Sequence, residues 1–344
     1  MAVAAGRSGH LDSARIPLLH PHPTLAPATV SAIHVCDMQR SASRLAAIVV
    51  ATFIGAEGHA DTLGSILFTD TRSKQLFRLD PSGAPQVVAR NITTYGGLLS
   101  WKEKTLAATS DHKIIQVDPW CNNSCISRNL VDVPKAIGVE TVADVFSIGG
   151  ITLCGNDAMF VAYGGNATTG HSGVLRCEAC EPGGDCTPNC SVVDGGHSPG
   201  TGMRQLGGFP AGIQCVGDHV LVVDNNNARV QALDASCLEA PCNVTTFASE
   251  LDYPLGITVT REDEILVSLD SSIVSLAMDG SAHPWSPEGD CGYLVEAGHS
   301  LLVAHGDIIS FDVTCRGPSC MPSIVWNSTG SIKVYGSLAV LVQG

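Results

Sequence analysis

The fold class predicted by the sequence is all-β: a six-bladed β-propeller of four-stranded antiparallel blades, its ring closed by N- and C-terminal strands that share a blade. The first observation behind this is a recurring unit. Ile66–Asp80 (ILFTDTRSKQLFRLD) and Val220–Asp234 (VLVVDNNNARVQALD) each run an apolar segment into Asp, then polar turn-forming residues, then an apolar–polar alternation that ends in Leu-Asp. That pattern is strand, tight turn, strand. Weaker copies are Thr105–Asp118, Glu264–Asp279 and Leu301–Asp312. One such unit cannot bury its own apolar faces, whereas a ring of them can. The second observation is composition: 44% apolar residues with 36 Gly and 18 Pro in 344 residues supply a large core and many turns. The third is a set of segments preceding the units, several opening with glycine, where backbones must crowd toward an axis.

Taken in order, the chain begins with residues 1–37, rich in Pro, Ala and His and without period, a disordered leader or an over-extended start. Residues 38–60 have the layout of a signal peptide: MQRSASR, then the apolar LAAIVVATFIG, then AEGHA with small residues before a cut. The apolar run is too short for a typical membrane span, so none is expected in the mature chain. Residues 61–344 form the propeller. Second strands fall near residues 66, 105, 158, 220, 265 and 301. Innermost strands fit Gly97–Trp101, Gly149–Cys154, Ala211–Val216, Gly256–Thr260 and Tyr293–Glu296. Nothing before Ile66 supplies an inner strand for the first blade, and Ser331–Tyr335 is expected to do so, which removes the open edge. Leu338–Val342 (LAVLV) then reads either as an addition to the closing blade or as the start of a seventh. The third blade carries a Gly-, Ser- and Cys-rich insertion at about 164–208, and propeller insertions often form a binding face.

Thirteen of the fourteen cysteines lie beyond residue 60, and they repeat. Close pairs follow the strand ends: Cys121 with Cys125, Cys237 with Cys242, Cys315 with Cys320, and an enlarged group of Cys177, Cys180, Cys186 and Cys190. Behind a signal peptide these read as disulfides pinning exposed turns. The group at 177–190 has zinc as its rival reading. Cys154 and Cys215 occupy matching places in successive units, either bridging adjacent blades or buried as thiols; Cys291 has no evident partner. Six N-x-S/T sequons at Asn91, Asn122, Asn166, Asn189, Asn243 and Asn327 agree with export and glycosylation. The compartment expected is therefore extracellular or the endomembrane lumen. A net charge of −14 without clustered Lys or Arg excludes a nucleic-acid partner.

The stretch Asp224-Asn225-Asn226-Asn227-Ala228-Arg229-Val230 resembles an NHL repeat: apolar strand, Asp, Asn-rich turn, Arg-Val, strand. Asp70–Leu76 is similar at the same spacing, with Ser73 for Asn and Gln75 for Arg, and the remaining units keep the strands but shorten the turn. The resemblance covers about residues 62–342. It implies that Asp224 and Arg229 tie the turn to its neighbour, and that the protein is a secreted scaffold binding an extracellular protein or glycan. The wider group includes the gluconolactonase/SMP-30-like and strictosidine-synthase-like enzymes. From these it implies the alternative, a metal-dependent lactonase or esterase with Ca²⁺ or another divalent ion on the axis, polarising the ester carbonyl. Asp224, Asn225, Asp270 and Asp307 are the candidate ligands, with Asp70, Asp111 and Asn156 behind them. Asp and Asn also favour turns on their own account. The entry Glu of the lactonase pattern is missing, and no Ser–His–Asp spacing points to a triad.

Overall fold

In the computed structural model the described residues lie between 64 and 341, apart from 71–72, 82, 93–96, 122–125, 140–144, 156–157, 166–170, 181–186, 198–199, 203–204, 239, 287–291, 306, 317–319, 321 and 327–337. The leader, the signal segment and Ser331–Tyr335 fall outside them. The described residues form six four-stranded antiparallel sheets, the blades of a propeller.

The first blade holds β1 (Ser65–Asp70), β2 (Gln75–Leu79) and β3 (Pro85–Arg90). The second holds β4 (Leu98–Trp101), β5 (Lys104–Ala108), β6 (Lys113–Val117) and β7 (Ile126–Asp132), followed by a one-turn helix, α1 (Val133–Ala136), capped by the Asp132 side chain. The third holds β8 (Val145–Cys154), β9 (Ala158–Gly165), β10 (Ser172–Glu178) and β11 (Cys190–His197). The fourth holds β12 (Pro210–Val216), β13 (His219–Asp224), β14 (Arg229–Asp234) and β15 (Val244–Ala248). The fifth holds β16 (Ile257–Val259), β17 (Ile265–Ser268), β18 (Ile273–Leu276) and β19 (Ala282–Pro284). The sixth holds β20 (Tyr293–Ala297), β21 (Ser300–His305), β22 (Asp307–Asp312) and β23 (Ser323–Trp326).

The ring closes as expected in kind but not in place. The inner strand of the first blade is β24 (Leu338–Leu341), paired antiparallel with β1 through Ser65↔Leu341, Ile66↔Val340, Leu67↔Ala339 and Phe68↔Leu338. The expected Ser331–Tyr335 is displaced by the segment that read as a surplus strand. The reason is burial on both faces. Leu338 packs with Ile66, Phe68 and Leu302 toward the sixth blade, and Ala339 packs with Leu67, Leu98 and Ala107 toward the second. A strand covered on both faces needs a continuous apolar run rather than an alternation. No further blade is required.

The core follows the same logic throughout. Buried side chains fall into six clusters, one between each pair of neighbouring blades. Along β1, Ile66 and Phe68 go to the sixth blade and Leu67 to the second. Along β9, Met159, Val161 and Tyr163 go to the second blade, and Phe160 and Ala162 to the fourth. With period 2, successive side chains serve different neighbours, so no blade is stable alone. The insertion at 164–208 is in part regular structure, since it supplies β10 and β11.

The Asp that ends four of the five sequence units also has a local cause. Asp118, Asp234, Asp279 and Asp312 each accept the backbone N–H two residues on, from Trp120, Ser236, Ser281 and Thr314, at 2.8–3.0 Å. The hydroxyls of Ser236, Ser281 and Thr314 donate to the same carboxylates. Such Asx turns reverse the chain between the third and fourth strands.

Candidate functional site

Two places could carry function: the upper face and the axial cavity. The upper face bears the connections from second to third strands and from blade to blade. The lower face bears the first-to-second and third-to-fourth connections.

On the upper face of the fourth blade, Asp224 is fully buried and Arg229 nearly so. Arg229 Nε donates to Asp224 Oδ2 at 2.9 Å. Its other nitrogens donate to the carbonyls of Thr201, Gly202 and Gln205. Asp224 also accepts from the Gly207 N–H (2.8 Å) and from Asn227 Nδ2 (2.8 Å). Asn225 Nδ2 donates to the Pro254 carbonyl at 2.8 Å. The Asn-rich turn, a 3-10 turn ended by Ala228 at φ 52°, therefore clamps the incoming connection of its own blade through Asp224 and Arg229, and the next connection through Asn225. A buried ion pair needs this kind of full satisfaction to be tolerated.

Of the other expected ligands, Asp70 is buried and pairs in register with Gln75, while Asp111 accepts from Thr109 and Lys113 on the surface. Asp270 donates its N–H to the Asp252 carbonyl, and Asp307 opens β22. Asn156 lies outside the described residues. These positions belong to successive blades around the ring, and among the described residues no group of three or more His, Cys, Asp or Glu could hold a metal ion.

The axial cavity, about 340 Å³, is lined by residues of all six inner strands. Glycine makes the close approach of the blades feasible. A Cβ on Gly149 would coincide with the Pro210 carbonyl of the next blade, and one on Gly256 would meet the Gly292 carbonyl at 2.8 Å. The walls mix aliphatic side chains, among them Leu99, Ile213, Ile257 and Val295, with polar residues, among them Gln214, Thr258, Tyr293 and Glu296. None of Asp224, Asn225, Asp270 and Asp307 lines the cavity. Glu296 is the lining carboxylate, and Arg261 holds both its oxygens through its N–H (2.7 Å) and Nε (3.2 Å).

Disulfides join Cys154 to Cys215, Cys177 to Cys190, Cys237 to Cys242 and Cys315 to Cys320. Cys121 and Cys180 are also disulfide-bonded, and no free thiol occurs among the described residues, from which Cys125, Cys186 and Cys291 are absent. The pairing of Cys177 with Cys190, opposite each other on β10 and β11, removes the four-thiolate zinc site. Of the sequons, Asn91, Asn189 and Asn243 are exposed, and Asn122, Asn166 and Asn327 are outside the described residues. The sequence also holds one Gly-x-Ser-x-Gly string, Gly196–Gly200 (GHSPG), at the end of β11. It leads through an irregular connection to β12 rather than into a described helix, so it lacks the strand–turn–helix setting of a nucleophile elbow. Among the described residues no helix is long and apolar enough to cross a membrane.

No family model and no curated protein matches this sequence. Solved structures do match. A chain from the crystal structure of the nidogen/laminin complex has a TM-score of 0.56 at 13% identity, covering 80% of this chain and 98% of that one. A protein of unknown function from Bacteroides caccae has a TM-score of 0.53 at 11% identity, covering 80% and 98%. Regucalcin, a calcium-binding protein from Agrobacterium tumefaciens, has a TM-score of 0.50 at 15% identity, covering 80% and 90%. At these identities the likeness is one of fold: the chain is a six-bladed propeller of the architecture these proteins share.

Proposed function

We propose that this chain is an extracellular, disulfide-pinned, NHL-like propeller that serves as a scaffold binding another macromolecule, a protein or a glycan, through its connecting loops. The observation that carries this reading is how Asp224 and Asn225 are used. In a hydrolase of the lactonase kind such residues would be held open for a cation. Here Asp224 is spent on Arg229, Asn227 and Gly207, and Asn225 on Pro254. What the turn yields is a rigidly held loop, which is what a recognition surface needs, because pre-ordered loops lose less entropy on binding. Export is supported by the signal-like segment 38–60, by the disulfides and by the exposed sequons at Asn91, Asn189 and Asn243. The matched chain of the nidogen/laminin complex comes from a protein–protein assembly, which favours a protein over a glycan as the partner.

The second reading is a metal-dependent lactonase or esterase, and regucalcin supports it through fold alone. Metal content and melting temperature of the protein secreted into culture medium, with and without EDTA, separate the two. The scaffold reading expects no stoichiometric metal and an unchanged melting temperature. One Ca²⁺ per chain, with a fall of several degrees in EDTA, would move the conclusion to the hydrolase. A lactone and ester screen of Asp224→Ala and Asp270→Ala would then follow.

A further inference from the structure

The connection from the fourth blade to the fifth, residues 249–256, carries a tyrosine at its tip. Leu251 and Pro254 are buried, and the tip is tied down on both sides. The Leu251 N–H donates to the Ala228 carbonyl at 2.9 Å, the Pro254 carbonyl accepts from Asn225 Nδ2 at 2.8 Å, and the Asp252 carbonyl accepts from the Asp270 N–H at 3.1 Å. Asp252 and Tyr253 project between these anchors, both exposed on the upper face. Tyr253 is 45% exposed and has a left-handed backbone, φ 46°, which a bulky residue keeps only where its surroundings over-determine it. The other described tyrosines are out of reach of an enzyme: Tyr163 is fully buried, and the Tyr293 hydroxyl is sealed from solvent. The charge around Tyr253 is one-sided. Glu250 and Asp252, both exposed, precede it, and no Lys or Arg occurs between Arg229, which is spent on Asp224, and Arg261. The Asn243 sequon and the Cys237–Cys242 bond lie at the other end of β15, on the lower face, and do not encumber the tip.

We propose that Tyr253 is a site of tyrosine O-sulfation, modified during export by a transferase that uses a nucleotide-activated sulfate. The Tyr253 phenolic oxygen bonds to the sulfur of the activated sulfate. The S–O bond to the nucleotide phosphate breaks, its electron pair leaving with the phosphate, and the phenolic proton passes to a base of the transferase. An enzyme that binds so anionic a donor has a basic site, and a basic site draws an acidic, unencumbered segment such as Glu250–Tyr253 and repels a basic one. The product is a permanent negative charge on a loop that Asn225 holds in place. It gives the protein partner of the scaffold reading an anionic contact for Arg or Lys. The proposal rests on the extracellular reading, because the transferase acts in the export pathway.

The test expresses the full chain in cultured cells that sulfate tyrosine, feeds them radiolabelled sulfate, collects the medium and strips N-linked glycans enzymatically. The expected result is label that survives glycan removal, is released by hot acid as an aryl sulfate ester is, and maps to the peptide containing Tyr253. Tyr253→Phe removes it. Asp252→Asn lowers it about threefold, the worth of one exposed ion pair, with secretion unchanged. If Tyr253→Phe is not secreted, peptide mapping of the parent chain still decides, and label confined to another peptide counts against Tyr253. A secreted chain without such label, or label that persists in secreted Tyr253→Phe, would overturn the proposal and leave the extracellular reading standing. A chain that never reaches the medium would overturn both.

Discussion

At the junction of the third and fourth blades, β8 and β12 run ten and seven residues, their backbones meet at Gly149, and the Cys154–Cys215 bond joins one to the other. At the closure of the ring, β24 lays four residues on β1, held by the ladder and by Leu338 and Ala339. Both places join inner strands, yet the covalent bond stands where the chain is already continuous from blade to blade. The closure, which brings together residues far apart in sequence, is non-covalent. Of the four disulfides described, Cys154–Cys215 is the one that crosses between blades; the others lie within a blade. Local stability in a folded protein follows such differences in burial and cross-linking. The ring should therefore open first at β24.

The largest effect expected is from deleting Leu338–Leu341. This removes two buried side chains and a ladder, exposes β1, and should cost on the order of 5 kcal/mol. At about 2 °C per kcal/mol for a chain of this size, the melting temperature falls by about 10 °C. A fall of only a degree or two would mean that closure contributes little.

The disulfides sharpen the contrast. The Cys154–Cys215 loop has a sequence separation of 61 and the Cys237–Cys242 loop one of 5. By loop entropy their removal should cost about 4 and about 2 kcal/mol respectively. Denaturant titration of the double Cys→Ser variants reads this directly, and equal losses would show that the staple does not restrain the unfolded chain as argued.

Asp224→Ala leaves Arg229 buried without its carboxylate and should cost about 3 kcal/mol. Limited proteolysis should then cut the connection between residues 200 and 207, while leaving the closing strand as resistant as before. Cleavage confined elsewhere would contradict the clamp.

The smallest effect is that of pH. The Ser236, Ser281 and Thr314 hydroxyls, with the backbone N–H groups of the same residues, hold the Asp234, Asp279 and Asp312 carboxyls below the usual carboxylate range. A depressed carboxylate pKa contributes stability that is present above the unfolded value and lost as pH falls through the folded one. Melting temperature should therefore drop below about pH 4. Burial likewise lowers the His112 imidazole, despite the nearby Asp111. Its smaller loss begins as pH falls below about 6.5. His112→Asn, which tolerates the positive φ of 57° there, should remove that part of the profile.

The second strands were legible because β1, β5, β9, β13, β17 and β21 carry compact apolar runs, most of them closed by a turn-forming residue. The Asp that follows the third strand in the second, fourth, fifth and sixth blades was legible because an Asx turn needs that residue. The closing strand was not, because Ser331–Tyr335 alternates as an exposed strand would, while LAVLV is apolar on both faces, as an inner strand must be. The pairing of Cys154 with Cys215 follows once the repeats are aligned, since matching positions in successive units become neighbours around the ring. The site was less legible. Asp and Asn are the same residues whether they bind a cation or clamp a loop, and only the position of Arg229 decides between them. The cavity gave no signal, because residues such as Gln214 and Thr258 look like ordinary strand residues until six blades bring them to one axis.

Native-state hydrogen exchange, read strand by strand, tests the central contrast most directly. The amides of β1 that pair with β24 should exchange at a lower opening free energy than those linking β12 to β13 beside Cys215, and reduction of the disulfides should narrow the gap by weakening the latter. Equal protection in the two places, or greater protection at β1, would contradict an account in which the ring is stapled between its third and fourth blades and latched at its closure.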